Sequence, residues 1–186
     1  MSDAARIDGR LLARDEIANV WSIDRREIVE AAYALENGVL VVRQVYFDVR
    51  GWPPGEAEKY TPMLEECLDH GGMAYGLFDG GRLIGAAILE GRFIGGARDQ
   101  LQLKFIHVSH DYRHRALGQR LFEWARAEAK RRGAQRLYVS ATPSKHTIDF
   151  YVRLGCRVAS EVDPVLYALE PEDIHLECVL APDGVR

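Results

Sequence analysis

The stretch Leu101-Gln102-Leu103-Lys104-Phe105-Ile106-His107-Val108-Ser109-His110-Asp111-Tyr112-Arg113-His114-Arg115-Ala116-Leu117-Gly118-Gln119-Arg120-Leu121 changes its hydrophobic period halfway along. Up to Val108 the apolar residues Leu101, Leu103, Phe105, Ile106 and Val108 crowd as in a buried central strand. From Leu117 the spacing lengthens. Leu117, Leu121 and Ala125 recur every four residues with Phe122 and Ala129 beside them, which predicts a helix over 117–132. Lys130, Arg131 and Arg132 complement the dipole of its last turn, and Gly133 stops it. Arg136 to Ala141 then reads as another strand, so the strand–helix–strand unit is a right-handed crossover between parallel strands.

Working outward, Ala74 to Phe78, Asp79-Gly80-Gly81 and Arg82 to Leu89 predict an antiparallel hairpin, because the glycines supply the positive φ of a tight turn. Glu56 to His70 carries Met63, Leu64, Cys67 and Leu68 on one helical stripe. Asp48 to Gly55, with Pro53-Pro54, is a loop. Val39 to Phe47 is a β-branched strand. Between Ile23 and Leu35 the apolar residues Ile28, Ala31, Ala32 and Leu35 have helical spacing, and Asn37-Gly38 reads as the stop of that helix. Downstream, His146 to Leu154 predicts a short helix ending at Gly155, and Cys156 to Val179 one or two strands around Pro164 and a turn at 169–173. The sheet is therefore mixed and mostly antiparallel with one parallel pair, flanked by helices, and the class is α/β or α+β.

A chain of 186 residues suits one domain with a sizeable core. At 47% apolar and 28% charged it is neither disordered nor fibrous. Its longest apolar runs, Val39–Val42 and Leu83–Leu89, fall far short of the roughly 20 residues that cross a bilayer, so no membrane partner is expected. Met1 to Arg6 lacks the apolar segment of a signal peptide, which makes the cytoplasm the expected location. The net charge of -4 lacks the basic footprint of a nucleic-acid binder. Cys67, Cys156 and Cys178 are widely spaced with no C-x-x-C pair, as for buried thiols rather than a disulfide framework or zinc site.

A strand end, a polar loop and a helix start turn several amides toward one point, and the helix dipole adds positive potential there. Such a connection fits an anion cradle, with Gly118 allowing close approach, although on spacing alone an ordinary crossover with solvated arginines is the commoner case. The residues then point further. Arg113, Ala116 and Gly118 resemble the acetyl-CoA signature R/Q-x-x-G-x-G/A of the GNAT superfamily of acetyl-CoA-dependent N-acyltransferases, with Ala116 standing where glycine is usual. Val139-Ser140-Ala141-Thr142-Pro143-Ser144 and Phe150-Tyr151-Val152-Arg153-Leu154-Gly155 resemble the second conserved region of that family. The likeness covers roughly 101–157.

The resemblance implies a single domain over 1–186, with 101–157 as the acetyl-CoA core and 1–72 as the variable acceptor side. It implies that the backbone of Arg113, His114, Arg115, Ala116, Leu117, Gly118 and Gln119 binds the CoA pyrophosphate. The strand ending at Val108 would splay from its neighbour to admit the pantetheine arm, and amides near Ile106, His107 and Val108 would polarise the thioester. Tyr151 matches the tyrosine that protonates the leaving thiolate, and Ser144 stands where relatives carry an asparagine that touches CoA. The activity implied is acetylation of a small-molecule or peptide amine by direct attack in a ternary complex. An acyl-CoA-binding module without turnover is the alternative.

The general base is open among His107, His110, Asp24, Glu27 and Glu90. His107 is favoured because imidazole titrates near neutrality and the residue lies close to the expected thioester. Asp24, Glu27, Trp21 and Trp52 are candidates to shape an amine pocket, or equally a solvated helix start. No metal is expected, since His107, His110 and His114 span a strand end and a loop without a completing ligand. A homodimer through the C-terminal strands is a further expectation.

Overall fold

Asn37 at φ 52 and Gly38 at φ 80 form a hairpin turn, and this turn decides how the N-terminal third folds. Two successive left-handed residues suit a tight β-hairpin. They join β2 (Glu27–Glu36) to β3 (Val39–Val49) in an antiparallel two-stranded sheet. The helix expected over 23–35 is therefore a strand. Its helical spacing is coincidental: from Ala31 to Glu36 each residue is registered opposite one of Val39 to Gln44, and this pairing outweighs local periodicity. Tyr33 also donates its amide to Pro143 O (2.8 Å).

The computed structural model describes residues 7–180, so the reading of Met1 to Arg6 lies outside the described residues. The remaining elements are β1 (Asp8–Leu12), a 3-10 helix (Arg14–Ser22), α1 (Glu56–Asp69), β4 (Met73–Asp79), β5 (Arg82–Leu89), β6 (Gln100–Val108), a 3-10 turn (His110–Tyr112), α2 (Leu117–Arg131), β7 (Arg136–Ala141), α3 (Lys145–Arg153), β8 (Arg157–Val158), α4 (Pro164–Leu169) and β9 (Ile174–Val179). Neither β1 nor the 3-10 helix after it was signalled by the sequence pattern. Around Pro164 the expected strand is instead a short helix. Proline occupies its first turn, where a missing amide costs nothing, and the Asp163 carboxylate caps Val165 and Leu166.

The chain forms two compact units. The first comprises residues 1–26, 50–92 and 104–125. There β1 pairs antiparallel with β4, and β4 with β5 through the Gly80-Gly81 turn. Its core gathers Ile17, Val20 and Ile23 of the 3-10 segment, Leu64 and Cys67 of α1, and Ala86, Ile88 and Phe105 of the strands.

The second unit comprises residues 27–49, 93–103 and 126–186. In it β7 pairs antiparallel with β9, and β9 with β8. β6 and β7 are parallel, as the crossover rule predicts, with Gln100–Gln102 registered against Arg136–Tyr138. Glu177, fully buried, is held by Arg136 (3.0 Å) and Arg157 (2.9 Å).

The architecture is thus the mixed one expected, with the β1–β4, β2–β3, β4–β5, β7–β9 and β8–β9 pairs antiparallel. On α2, Leu121, Phe122, Ala125 and Ala129 are fully buried. Burying Leu121 and Phe122 stabilises by about 1.5–3 kcal/mol each. All three cysteines are buried free thiols, and burial pushes Cys67 up to about 12. Among the described residues no helix is long and apolar enough to cross a membrane.

Candidate active site

In the first unit the end of β6 is tied to the segment before β2. Asp24 N donates to Ser109 Oγ (3.0 Å), and His110 N donates to Asp24 O (2.9 Å). His110 Nδ1 lies 2.9 Å from Arg26 O. Arg113 folds back, with Nε donating to Val108 O (3.2 Å) and Nη2 to Arg25 O (3.4 Å). These bonds tie the loop down at Ser109, His110 and Arg113.

The backbone of that loop is unusual. His114 and Ala116 stand at φ 61 and 58, in the left-handed region that a side chain disfavours. The usual glycine at position 116 therefore answers a need for positive φ, and the methyl group of Ala116 is strained rather than merely in the way. Ala116 O accepts from Arg120 N (3.0 Å), which makes it the N-cap of α2. Alanine has no side-chain acceptor, so it leaves the amides of Leu117, Gly118 and Gln119 uncapped by its side chain. No acidic residue occupies the first turn of α2, and His114, Arg115 and Ala116 are exposed. Uncapped donors, a helix dipole and neighbouring arginines are features that suit an anion at this point.

Residues 39–156, more than half of the chain, match the model of the acetyltransferase (GNAT) family. The chain belongs to this family.

The GNAT chain is an acyltransferase. Its fold is similar to nourseothricin acetyltransferase at 16% identity, with a TM-score of 0.68 over 94% of this chain and 99% of that one. It is also similar to the PaiA N-acetyltransferase of Thermoplasma acidophilum, solved with coenzyme A, at 16% identity, TM-score 0.59 and coverage of 94% and 99%. The ribosomal-protein-S18-alanine N-acetyltransferase of Escherichia coli gives 16% identity, TM-score 0.59 and coverage of 97% and 99%. No curated protein matches the chain.

In the acyltransferase, His107 sits in an aromatic and cationic surround within the first unit. Trp52 meets it edge-on at 4.8 Å and Phe105 lies at 4.9 Å. Trp21 packs edge-on against Trp52 at 4.9 Å, and the Arg25 guanidinium lies 5.0 Å over the Trp52 ring. Burial first, then the positive charges of Arg25 and Arg113, push the His107 imidazole down to about 3. It is neutral at physiological pH and holds a proton weakly. That works against the role of base, for which an imidazole titrating near neutrality was expected, and leaves it a hydrogen-bonding group.

The other base candidates of the first unit are engaged. The Asp24 carboxylate is bidentate with Arg26, which holds it at about 2. Burial alone would raise the Glu90 carboxyl, but Lys104 (3.3 Å) and the Gly91 and Arg92 amides outweigh it and hold the group below the ordinary range. Of the expected amine pocket, Trp21 and Trp52 come together with His107, whereas Asp24 turns to Arg26. Arg25, not among the residues singled out by sequence for this pocket, lies over the Trp52 ring instead.

Tyr151 lies in the second unit, on α3, and is described there. It is 4% exposed, and burial raises its phenol far above the ordinary value, with Cys156 and Asp173 adding to the shift. It stays protonated. Ser144 is buried as the N-cap of α3: its hydroxyl accepts from Thr147 N and donates to Thr147 Oγ1 (2.8 Å). Tyr33 and Lys145 both reach Asp149 of the same helix. Glu27 opens β2 in this unit. Among the described residues no group of three or more His, Cys, Asp or Glu side chains is placed to hold a metal ion.

Proposed function

We propose that this acyltransferase takes acetyl-CoA as its donor and acetylates a primary amine, of a small molecule or a peptide, by direct attack in a ternary complex. The observation that carries the donor side is the loop before α2, with positive φ at His114 and Ala116 and an N-cap that has no side-chain acceptor. A diphosphate suits such a cradle because first-turn amides and the dipole act on it together, with Arg113 and Arg115 adjacent. Backbone amides of 113–119 hold it in this reading. Backbone amides of Ile106, His107 and Val108, at the end of β6, stabilise the developing oxyanion in this reading.

As the amine nitrogen bonds to the acyl carbon, the carbon–sulfur bond breaks, the sulfur takes the Tyr151 phenolic proton, and the proton shed by the new amide nitrogen returns the phenolate to phenol through solvent. A phenol that stays protonated until a thiolate forms is suited to general-acid work. Neutral His107 accepts a hydrogen bond from the incoming amine, which has already lost its ammonium proton to solvent. No cysteine is used: burial raises Cys67, and it keeps its proton. Residues 101–157 serve the donor and 1–72 the acceptor.

Acetyl-CoA at 100 times its dissociation constant should stabilise the chain by about 2.7 kcal/mol in a melting experiment. Acetyl transfer is then measured across a panel of amines. Absence of any melting shift would overturn the donor assignment. A shift without turnover on any amine would overturn the transfer step and leave an acyl-CoA-binding module.

A further inference from the structure

A cation stands in the first unit where an acceptor amine is expected to need an acid. The Arg25 guanidinium lies 5.0 Å over the Trp52 ring, and His107 meets the same ring edge-on at 4.8 Å. One tryptophan therefore carries the guanidinium and the imidazole together. The polar ends of the aromatic side chains around them are already engaged. Trp52 Nε1 donates to Ile23 O (2.9 Å), and Trp21 Nε1 donates to Thr61 Oγ1 (2.7 Å). Phe105 stacks on Trp52 at 5.9 Å and extends the apolar wall. The Asp24 carboxylate is taken by Arg26, and Arg113 is folded onto Val108 O and Arg25 O.

Arg25 is only partly engaged. Among the described residues Nη1 alone has a partner, Glu56 Oε1, at a long 3.4 Å. Nε and Nη2 are left over, and the side chain is 22% exposed, so a ligand can reach them. Nε and Nη2 form a planar fork whose two donors match the two oxygens of a carboxylate. The ring nitrogens of His107 likewise have no hydrogen-bond partner among the described residues, and the residue is half-buried rather than sealed. The charges of Arg25 and Arg113 reach this ring and, after burial, help to keep it neutral. The imidazole thus keeps a lone pair free for an amine while the field beside it favours an anion.

We propose that the acceptor is an amino acid with a free α-carboxylate and an apolar side chain. This rests on the acetyl-transfer reading above and names its acceptor. The carboxylate takes the Nε–Nη2 fork of Arg25, the amine turns to neutral His107, and the apolar side chain lies against Trp21 and Trp52. An acceptor with cationic groups alone meets like charge at Arg25.

The test offers the full chain acetyl-CoA with L-leucine or with L-leucinol, which keeps the amine and the side chain but lacks the carboxylate. A kcat/KM at least tenfold higher for leucine is expected, equivalent to about 1.4 kcal/mol. Arg25→Gln removes the charge and should bring that ratio close to one. If this variant does not fold, Arg25→Lys, which loses the planar fork, should still lower the ratio. Calorimetry with CoA present reads binding of the same two compounds apart from turnover. Leucine binding at least tenfold tighter than leucinol, without transfer to either, upholds the acceptor class and overturns the transfer reading. Transfer to leucinol as efficient as transfer to leucine upholds the transfer reading and overturns the acceptor class. A preference for leucine that is unchanged in the Arg25 variants also overturns the acceptor class, as does binding of neither compound.

Discussion

Replacing Ala116 with glycine should stabilise the protein, although it deletes a methyl group and adds freedom to the unfolded chain. The residue stands at φ 58 as the N-cap of α2. An L-residue in this region costs about 1–2 kcal/mol, which glycine does not incur. Against this, glycine's wider unfolded ensemble takes back about 0.4–1 kcal/mol. Glycine also ranks above alanine as an N-cap, which tips the balance further. The net gain is about 0.5–1 kcal/mol, or a rise of about 1–4 °C in melting temperature at 2–4 °C per kcal/mol for a chain of this size. Scanning calorimetry of the unliganded protein measures it. Ala116→Val is the counter-test, because a β-branched side chain tolerates this φ worst, and it should melt several degrees lower. A glycine variant that melts no higher than the parent, together with a valine variant that melts no lower, would refute the claim that the loop before α2 is strained.

Tyr151→Phe should lower kcat for acetyl transfer by about 10²–10⁴-fold if the phenol protonates the thiolate, with KM for acetyl-CoA little changed; steady-state kinetics with less than a threefold loss would end that assignment. The His107 ring should stay neutral down to about pH 4 in an NMR titration, since its folded pKa of about 3 lies below the ordinary 6.5. The sign follows from that order. The unfolded chain takes the proton first, so His107 favours folding above pH 6.5 and that contribution is lost progressively towards pH 3. Glu128, bonded chiefly to Arg131 and then Arg132 against the cost of its burial, is held at about 2 instead of 4.5. Its stabilisation is complete above pH 4.5 and disappears towards pH 2, and Glu128→Gln should flatten the acid limb of the stability profile over that window. Gly38→Ala, at φ 80, should cost about 1 kcal/mol or more in denaturant unfolding through the β2–β3 turn.

What the sequence shows and what it hides divide by the range of the interaction. The run from β6 to α3 is legible because each of its signals is local: a change of hydrophobic period at Val108, a glycine stop at Gly133, a short apolar strand, Leu137-Tyr138-Val139, before Ser144. β2 is not legible by periodicity, because Ala31, Ala32 and Leu35 satisfy a helical stripe as well as a strand. The deciding signal is Asn37-Gly38, which ends helices and turns hairpins alike, and only the registry of Glu36 with Val39 chooses between them. At the site, Arg113 and Gly118 can be read from their spacing, but the left-handed backbone at Ala116 can be read only by asking what the usual glycine is for. His107 shows the limit most sharply. Its residue type promises a group that titrates near neutrality, yet Trp52 and Arg25, more than fifty positions away in the chain, set its burial and field. A side chain's chemistry is local, whereas its pKa belongs to the tertiary fold. Residue type alone therefore does not set a proton-transfer role where chemistry depends most on desolvation, whereas a role for the loop amides needs only a backbone path.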